Sequence, residues 1–303
     1  MAGAYDGSTM PAPQPELRRQ NQIRTIHASL AIEGNVLTPE QVTAVINQKH
    51  VTGPAKDILE VQNALAAYRN IGVFEPLSSK SLLKAHALMM KGLAHDAGAW
   101  RAGNVVVAQG ERIAHLAPPV LRVPELMRAL FDFLEKDQDV HPLLKACVFH
   151  YELEFIHPFS DGNGRMGRLW QQVILLNYNP IFEYLPVESL IKEHQAEYYS
   201  VLEECDHQGE STNFIEFMLS LLLTALKEFL RDLGPAKHTP QSRLAFAQSR
   251  FQNRSFSRKE YRSVFKTISS ATASRDLSLG VRAKLLEKTG EKALTRYRFV
   301  TVR

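Results

Sequence analysis

The stretch Gly234-Pro235-Ala236-Lys237-His238-Thr239-Pro240 constrains the fold of this chain more than any other. Two prolines and a glycine in so short a span stop a helix or strand arriving from either side. The chain is therefore expected to fold as two pieces joined by a linker over 233–240. Charge divides at the same place. From Gln241 to Arg303 there are 15 Lys and Arg against 4 Asp and Glu, while the rest holds 21 basic and 28 acidic residues. A mildly acidic body and a strongly basic tail predict two modules, the second a candidate for a polyanionic partner.

The body has enough apolar residues for a full core and no run long enough to span a membrane. Its longest apolar run, Phe214 to Leu223, is broken by Glu216 and Ser220 and reads as a buried helix. Residues 1–15 are small, polar and proline-rich, which predicts a disordered start rather than a signal peptide. Cys147 and Cys205 show neither metal-ligand nor redox spacing, so buried thiols in a reducing, cytoplasmic setting are expected. Secretion into a host cell is left open.

Helical periodicity runs from Glu16 to the Gly34-Asn35 stop. Thr38-Pro39-Glu40 opens a second helix with a cap, a proline at the first position and an early acid. Further helices are expected at 55–70, 78–93, 122–136, 142–155, 164–177, 186–206 and 212–232. One strand signal interrupts them: Asn104 to Val107 and Ile113 to Leu116, around Gln109-Gly110-Glu111-Arg112, read as a hairpin over 104–116. After the linker, helices are expected at 241–252, from Ser257, and from Ser270 to Leu279. Strands at Lys284–Lys288 and Thr295–Val302 follow, around the turn Thr289-Gly290-Glu291-Lys292. Three helices and a hairpin are the plan of a winged helix-turn-helix, a small α+β domain over 241–303.

The chemistry gathers in His157-Pro158-Phe159-Ser160-Asp161-Gly162-Asn163-Gly164-Arg165-Met166-Gly167-Arg168. Backbone N–H groups of Gly162, Asn163 and Gly164 at a helix start form a ready anion site. Arg165 and Arg168, three apart, share a helix face and can clamp further phosphate oxygens. Asp161 suits a hard cation such as Mg²⁺, and His157 can take a proton from a hydroxyl near neutral pH. Together these predict phosphoryl or nucleotidyl transfer. Gly162-x-Gly164-x-x-Gly167 also fits the dinucleotide-binding glycine pattern, but a helix and a His-Pro loop precede it where that pattern needs a strand. A GxxxxGK[ST] loop is absent, which counts against P-loop nucleotidases.

The twelve residues from His157 resemble the Fic motif, HPFx[DE]GNGRxGR, at every fixed position. Gly98-Ala99-Trp100-Arg101 and the following hairpin resemble the flap of Fic proteins, and His141-Pro142-Leu143-Leu144 to Phe155 resembles the segment preceding the motif. The resemblance implies a mainly α Fic core over 16–232 that uses ATP to place AMP on a Ser, Thr or Tyr hydroxyl of a target protein. His157 would be the general base, and Asp161 the ligand of Mg²⁺, with Mn²⁺ an alternative. Gly162, Asn163 and Gly164 would cradle the α- and β-phosphates, and Arg165 and Arg168 the outer ones. The flap, through Val105, Val106 and Val107, would align the target backbone by strand addition.

Ser29-Leu30-Ala31-Ile32-Glu33-Gly34 further resembles the family's inhibitory motif [ST]xxxE[GN], carried here by a helix over about 16–34. The resemblance implies that Glu33 pairs with Arg168 and denies it to the nucleotide, with Ser29 and Gly34 completing the motif. In some relatives the same glutamate positions a water that removes AMP, so Glu33 is either a brake or a catalytic residue. The tail is similar to the winged helix attached to many bacterial Fic proteins. There Arg275, Arg282 and Lys284 are candidates for phosphates and Ser270, Thr272 and Ser274 for base edges of DNA or chromatin, with Lys292, Arg296 and Arg298 on the wing. A nucleotide-sensing DNA-binding regulator is the rival reading. A homodimer is a family-level expectation.

Overall fold

The computed structural model describes residues 15–109, 112–232, 239–265, 268–291 and 295–300. The expected disordered start, most of the linker, the flap tip Gly110-Glu111, Lys292 and the end of the last strand lie outside the described residues. The chain divides into two compact units, one of Pro13–Phe229 and one that includes Leu230–Arg303.

The larger unit is helical: α1 (Pro15–Ile32), α2 (Pro39–Ile46), α3 (Ala55–Arg69), α4 (Ser79–Met89), α5 (Val123–Lys136), α6 (Pro142–Ile156), α7 (Asn163–Tyr178), α8 (Val187–Glu193), α9 (Gln195–Gln208) and α10 (Thr212–Asp232). Strands β1 (Val106–Gln109) and β2 (Arg112–Leu116) form the single hairpin described in this unit. α6 and α7 pack together at its centre. Trp170 on α7 is fully buried among Phe74, Phe131 and Phe149, and its indole N–H donates to the Pro76 carbonyl at 3.2 Å. Cys147 and Cys205 are buried free thiols. No described helix is long and apolar enough to cross a membrane.

α1 ends in a way that aims Glu33. Gly34 adopts φ 91°, and the Gly34 and Asn35 N–H groups return to the carbonyls of Ala31 and Leu30. This is a Schellman stop, and it requires a residue at ease in the left-handed region. The last carbonyls are capped by side chains: Lys192 donates to Ala31 at 3.1 Å, and Gln195 and Tyr199 to Ile32 at 3.1 and 3.4 Å.

Two expectations are corrected here. The single helix over 186–206 is broken at His194 into α8 and α9, with Lys192 and Gln195 on either side of the break holding the end of α1. The hairpin begins at Val106 rather than Asn104, because the Asn104 side chain accepts from the Val120 N–H at 2.8 Å and holds that residue in a loop.

The smaller unit contains α11 (Pro240–Phe251), α12 (Arg258–Val264) and α13 (Ser270–Arg282), then strands β3 (Leu286–Thr289) and β4 (Arg296–Phe299), paired antiparallel. α12 opens with a reciprocal Ser257–Glu260 capping box. A bridge between Phe256 and Tyr297 extends the hairpin. Leu244, Phe251, Phe256, Tyr261, Leu277 and Phe299 lie in its core. α13 runs past the expected stop at Leu279. On this extension Gly280 leaves room for Leu286, which packs where a Cβ would stand, 2.7 Å away.

Candidate active site

α6 delivers His157. The helix ends at Ile156, and His157 takes the left-handed cap conformation, φ 50° and ψ 58°, which histidine enters more readily than most residues. Its Nδ1–H donates to the Glu154 carbonyl at 3.2 Å. A carbonyl can only accept, so Nε2 is the bare nitrogen. Burial, aided by His115 and Arg101, pushes the ring down to about 4. His157 is therefore neutral at physiological pH and able to take a proton.

The loop that follows is fastened from within. Asn163 accepts from the Phe159 N–H and donates to the Phe159 carbonyl, both at 2.9 Å, through a buried side chain. Arg101 is buried and spends its guanidinium on backbone carbonyls: His157 at 2.8 Å, Gly103 at 2.7 Å and Pro118 at 2.6 Å. Its own N–H donates to the Pro158 carbonyl at 2.9 Å. Gly162 adopts φ 86°, with Met90 Sδ filling the space a side chain would need. α7 starts at Asn163, and the first amides of a helix have no intrahelical acceptor, so those of Asn163 and Gly164 are donors for an anion.

Both arginines are held. Arg165 is buried and donates to Asp161 Oδ1 at 3.0 Å and Glu60 Oε1 at 3.4 Å. Glu60, buried on α3, also accepts from Asn35 at 2.8 Å. Arg168 Nε donates to Ser29 Oγ at 3.1 Å, while its NH2 donates to the Ser29 carbonyl at 3.0 Å and to Glu33 Oε1 at 2.6 Å. The Glu33 carboxylate lies directly over Gly164, where a Cβ would collide with Oε1. Ser29 and Glu33 thus come together with Gly164 and Arg168, while Gly34 serves to end α1 beside Glu33. The Glu33 side chain keeps 26% of its exposure while that of Arg168 keeps 1%. Burial is the largest single influence and opposes the charge of Arg168, but Glu33, Tyr198 and Glu154 together raise the pKa of the guanidinium above its ordinary range.

Beneath the loop, His150 meets Gln171 and the Tyr198 hydroxyl. Burial pushes His150 down to about 3 and the Glu154 carboxyl up to about 7. His150 is fully buried and packs between helices.

The flap rests on His115, whose Nε2 donates to the Phe155 carbonyl at 2.7 Å and whose Nδ1 lies 2.9 Å from Asp206 Oδ2. Val106 pairs with Leu116, 50% and 72% exposed respectively. Val105 precedes the strand, and the Val107 side chain lies outside the described residues.

In the smaller unit Arg275, Arg282 and Lys284 are exposed. Other tail candidates are engaged. Ser274 accepts from Arg258 at 3.0 Å, Thr272 lies in the Ser269 cap, and the Ser270 carbonyl accepts from Ser274. Arg296 and Arg298 pair with Glu260 and Glu287 at 2.9 and 3.0 Å.

Sequence reasoning missed Glu60 and His86, which look like ordinary helix residues, and the side-chain role of Asn163. Arg101 stood within the Gly98-Ala99-Trp100-Arg101 segment, but nothing there showed what it would bind.

The Fic/DOC family model matches residues 76–175. The crystal structure of a Fic family protein from Desulfovibrio desulfuricans G20 superimposes with a TM-score of 0.70 and 42% identity, covering 96% of this chain and 89% of that one. Fic-1 (residues 134–508) from Caenorhabditis elegans shares the fold at a TM-score of 0.61 and 21% identity, over 75% of this chain and 69% of that one. Protein adenylyltransferase Fic of Nematostella vectensis is 30% identical over 218 residues, 68% of this chain and 48% of that protein. The Culex quinquefasciatus protein of the same name is 28% identical over 73% of this chain and 44% of its own length. The chain thus spans about half the length of the curated relatives it matches.

Proposed function

The chain belongs to the Fic family, and from that membership and the site geometry we propose that it transfers AMP from ATP to a protein hydroxyl, restrained by Glu33. The observation that carries this reading is the bare Nε2 of a neutral His157 on the loop that leads into the open amides of α7. His157 takes the proton of a Ser, Thr or Tyr hydroxyl. The oxygen forms a bond to the α-phosphorus, the bond from that phosphorus to the bridging oxygen breaks, and pyrophosphate leaves. The amides of Asn163 and Gly164 and the two arginines are suited to the charge that develops on phosphate oxygens. Gly162 completes the cradle.

The residues present fit a cation shared with the nucleotide. Asp161 keeps 52% of its side-chain exposure and accepts its described hydrogen bonds through Oδ1. Among the described residues no cluster of three or more His, Cys, Asp and Glu could form an all-protein cage. Magnesium usually takes one or two carboxylates with phosphate oxygens and waters, and when bound it would neutralise phosphate charge beside Asp161.

Glu33 supplies the restraint. A guanidinium paired with a carboxylate is not available to a phosphate, and the Glu33 carboxylate repels a triphosphate at Gly164. The test uses ATP labelled on its α-phosphate, with Mg²⁺, and compares wild type, Glu33→Gly and Glu33→Gly/His157→Ala. Label on Glu33→Gly alone is expected. Labelling of the His157→Ala protein overturns the base assignment, and a Glu33→Gly protein no more active than wild type overturns the brake. Removal of AMP through a water held by Glu33 is the second reading of this site, favoured by the partial exposure of that carboxylate. Chasing label with wild type separates the two.

For the smaller unit the proposal is a winged helix that docks on nucleic acid, supported by exposed Arg275, Arg282 and Lys284 in a basic segment. Binding of duplex DNA should weaken with salt on a log–log slope of several phosphates, and no binding at low salt overturns it. A homodimer in a reducing, cytoplasmic compartment is proposed alongside, with light scattering as the check on assembly.

A further inference from the structure

His86 stands behind the phosphate loop, on α4, with no exposure to solvent. Three contacts fix its ring. Gly98 N–H donates to Nδ1 at 2.8 Å, Nε2 lies 3.0 Å from the Asp161 carbonyl, and the ring stacks on Phe159 at 3.7 Å with a 10° tilt. A backbone N–H can only donate, so Nδ1 is bare and the proton sits on Nε2, donated to Asp161.

That bond sets a plane. In a trans peptide the carbonyl and the following N–H point in opposite directions. With the Asp161 carbonyl turned inward to His86, the Gly162 N–H is turned outward. There it donates to Asp161 Oδ1 at 2.6 Å, on a side chain 52% exposed. Gly162 has no side chain by which the loop can be held, because Met90 fills that space. Arg165 holds the Asp161 carboxylate at 3.0 Å and the Met166 N–H holds the Gly162 carbonyl at 2.9 Å, and His86 is what holds the carbonyl of the peptide between them.

We propose that His86 is a positioning residue of the phosphate cradle, holding the Asp161–Gly162 peptide so that its N–H and the Asp161 carboxylate face the nucleotide. The inference rests on the adenylyl-transfer reading for what the cradle binds, but not for the geometry it fixes. The Gly98 contact joins the same ring to the segment that leads, through Arg101, to the flap.

Two substitutions split the bonds. In His86→Gln the amide nitrogen keeps a donor at the reach of Nε2, and in His86→Asn the amide oxygen keeps an acceptor at the reach of Nδ1. In the full chain carrying Glu33→Gly, the Gly162 amide resonance and its hydrogen exchange are followed by NMR, and ATP affinity by calorimetry with Mg²⁺. The expected result is a displaced, faster-exchanging Gly162 amide and about tenfold weaker ATP binding in His86→Asn, the order of one bond to a charged group. His86→Gln should rescue both, with affinity within about twofold of the parent. Equal behaviour of the two variants, or an unmoved Gly162 amide in His86→Asn, overturns the proposal. If the asparagine variant does not fold, the glutamine variant still decides, since a tenfold loss there overturns it. A parent that binds no ATP defeats the functional reading instead, and the Gly162 amide continues to test His86.

Discussion

Arg243 and Asp276 in the smaller unit meet through two bonds, Nε to Oδ2 at 2.6 Å and NH2 to Oδ1 at 2.7 Å, and Tyr261 adds a third to the carboxylate at 3.2 Å. In the larger unit Arg168 reaches Glu33 through one bond of 2.6 Å and turns its other described bonds to Ser29. The aspartate side chain is 1% exposed and the glutamate 26%. In the first pair it is the carboxylate that is closed off, its arginine keeping 10% of its exposure. The second has an arginine sealed in the protein and a carboxylate that water can reach. Such a pair can be exchanged for another anion at modest cost. Burial of an ion pair therefore says little about its purpose until the exposure of each partner is compared.

Four measurements press on that comparison. The largest effect is expected from Asp276→Ala, which takes the buried carboxylate away from both Arg243 and Tyr261. Urea unfolding should show a loss of about 3–5 kcal/mol, the usual consequence of breaking a buried pair from one side. Glu33→Gly should cost less in the same assay, because the carboxylate lost is partly exposed and Arg168 keeps its two bonds to Ser29. It should nevertheless raise transfer on the order of a hundredfold by freeing Arg168. A stability loss as great as that of Asp276→Ala would erase the distinction between the two pairs.

Acid isolates the base from both arginines. In Glu33→Gly the transfer rate should be flat from about pH 8 to 5. It should then fall tenfold per unit below about pH 4, where burial places the His157 ring. The sign follows from which form reacts, since the neutral ring accepts the proton. The same burial makes the unfolded chain bind this proton more readily, so His157 and His150 both cost stability as pH falls from about 6.5. A rate that fell already at pH 6.5 would show a solvated ring. The smallest effect belongs to the surface pair Arg298–Glu287, both side chains more than half exposed. Arg298→Ala should change unfolding free energy by less than about 0.5 kcal/mol.

The sequence made most of the helical plan legible, because capping residues announce themselves. Thr38 and Ser257 head reciprocal capping boxes, and Gly34 stops α1. The break at His194 was illegible, since neither glycine nor proline marks it and its partners lie on α1, far away in sequence. The start of β1 was misread because Val105 has the side chain of a strand residue while Asn104 is held by Val120. At the site, spacing brought His157, Asp161, Arg165 and Arg168 together, since they share one loop and one helix. Glu60, His86 and Arg101 reach the loop and α7 from other elements, far away in sequence, and a residue acting across such a separation leaves no local pattern. In the tail, Arg296 and Arg298 look alike to Arg275 in sequence, yet their acidic partners on α12 and β3 become visible only once the hairpin is folded.

The two thiols described earlier make the protein a convenient carrier for reporter groups. Cys147 and Cys205 are the only cysteines in the chain, and both are buried. Burial also pushes the Cys147 thiol up to about 12 and raises that of Cys205. Since the thiolate is the reactive form, a maleimide dye should leave both untouched in the folded protein. A cysteine introduced at Leu121, 90% exposed, then becomes the one address for a fluorophore. Binding events near the flap can be watched by light without first removing any native residue.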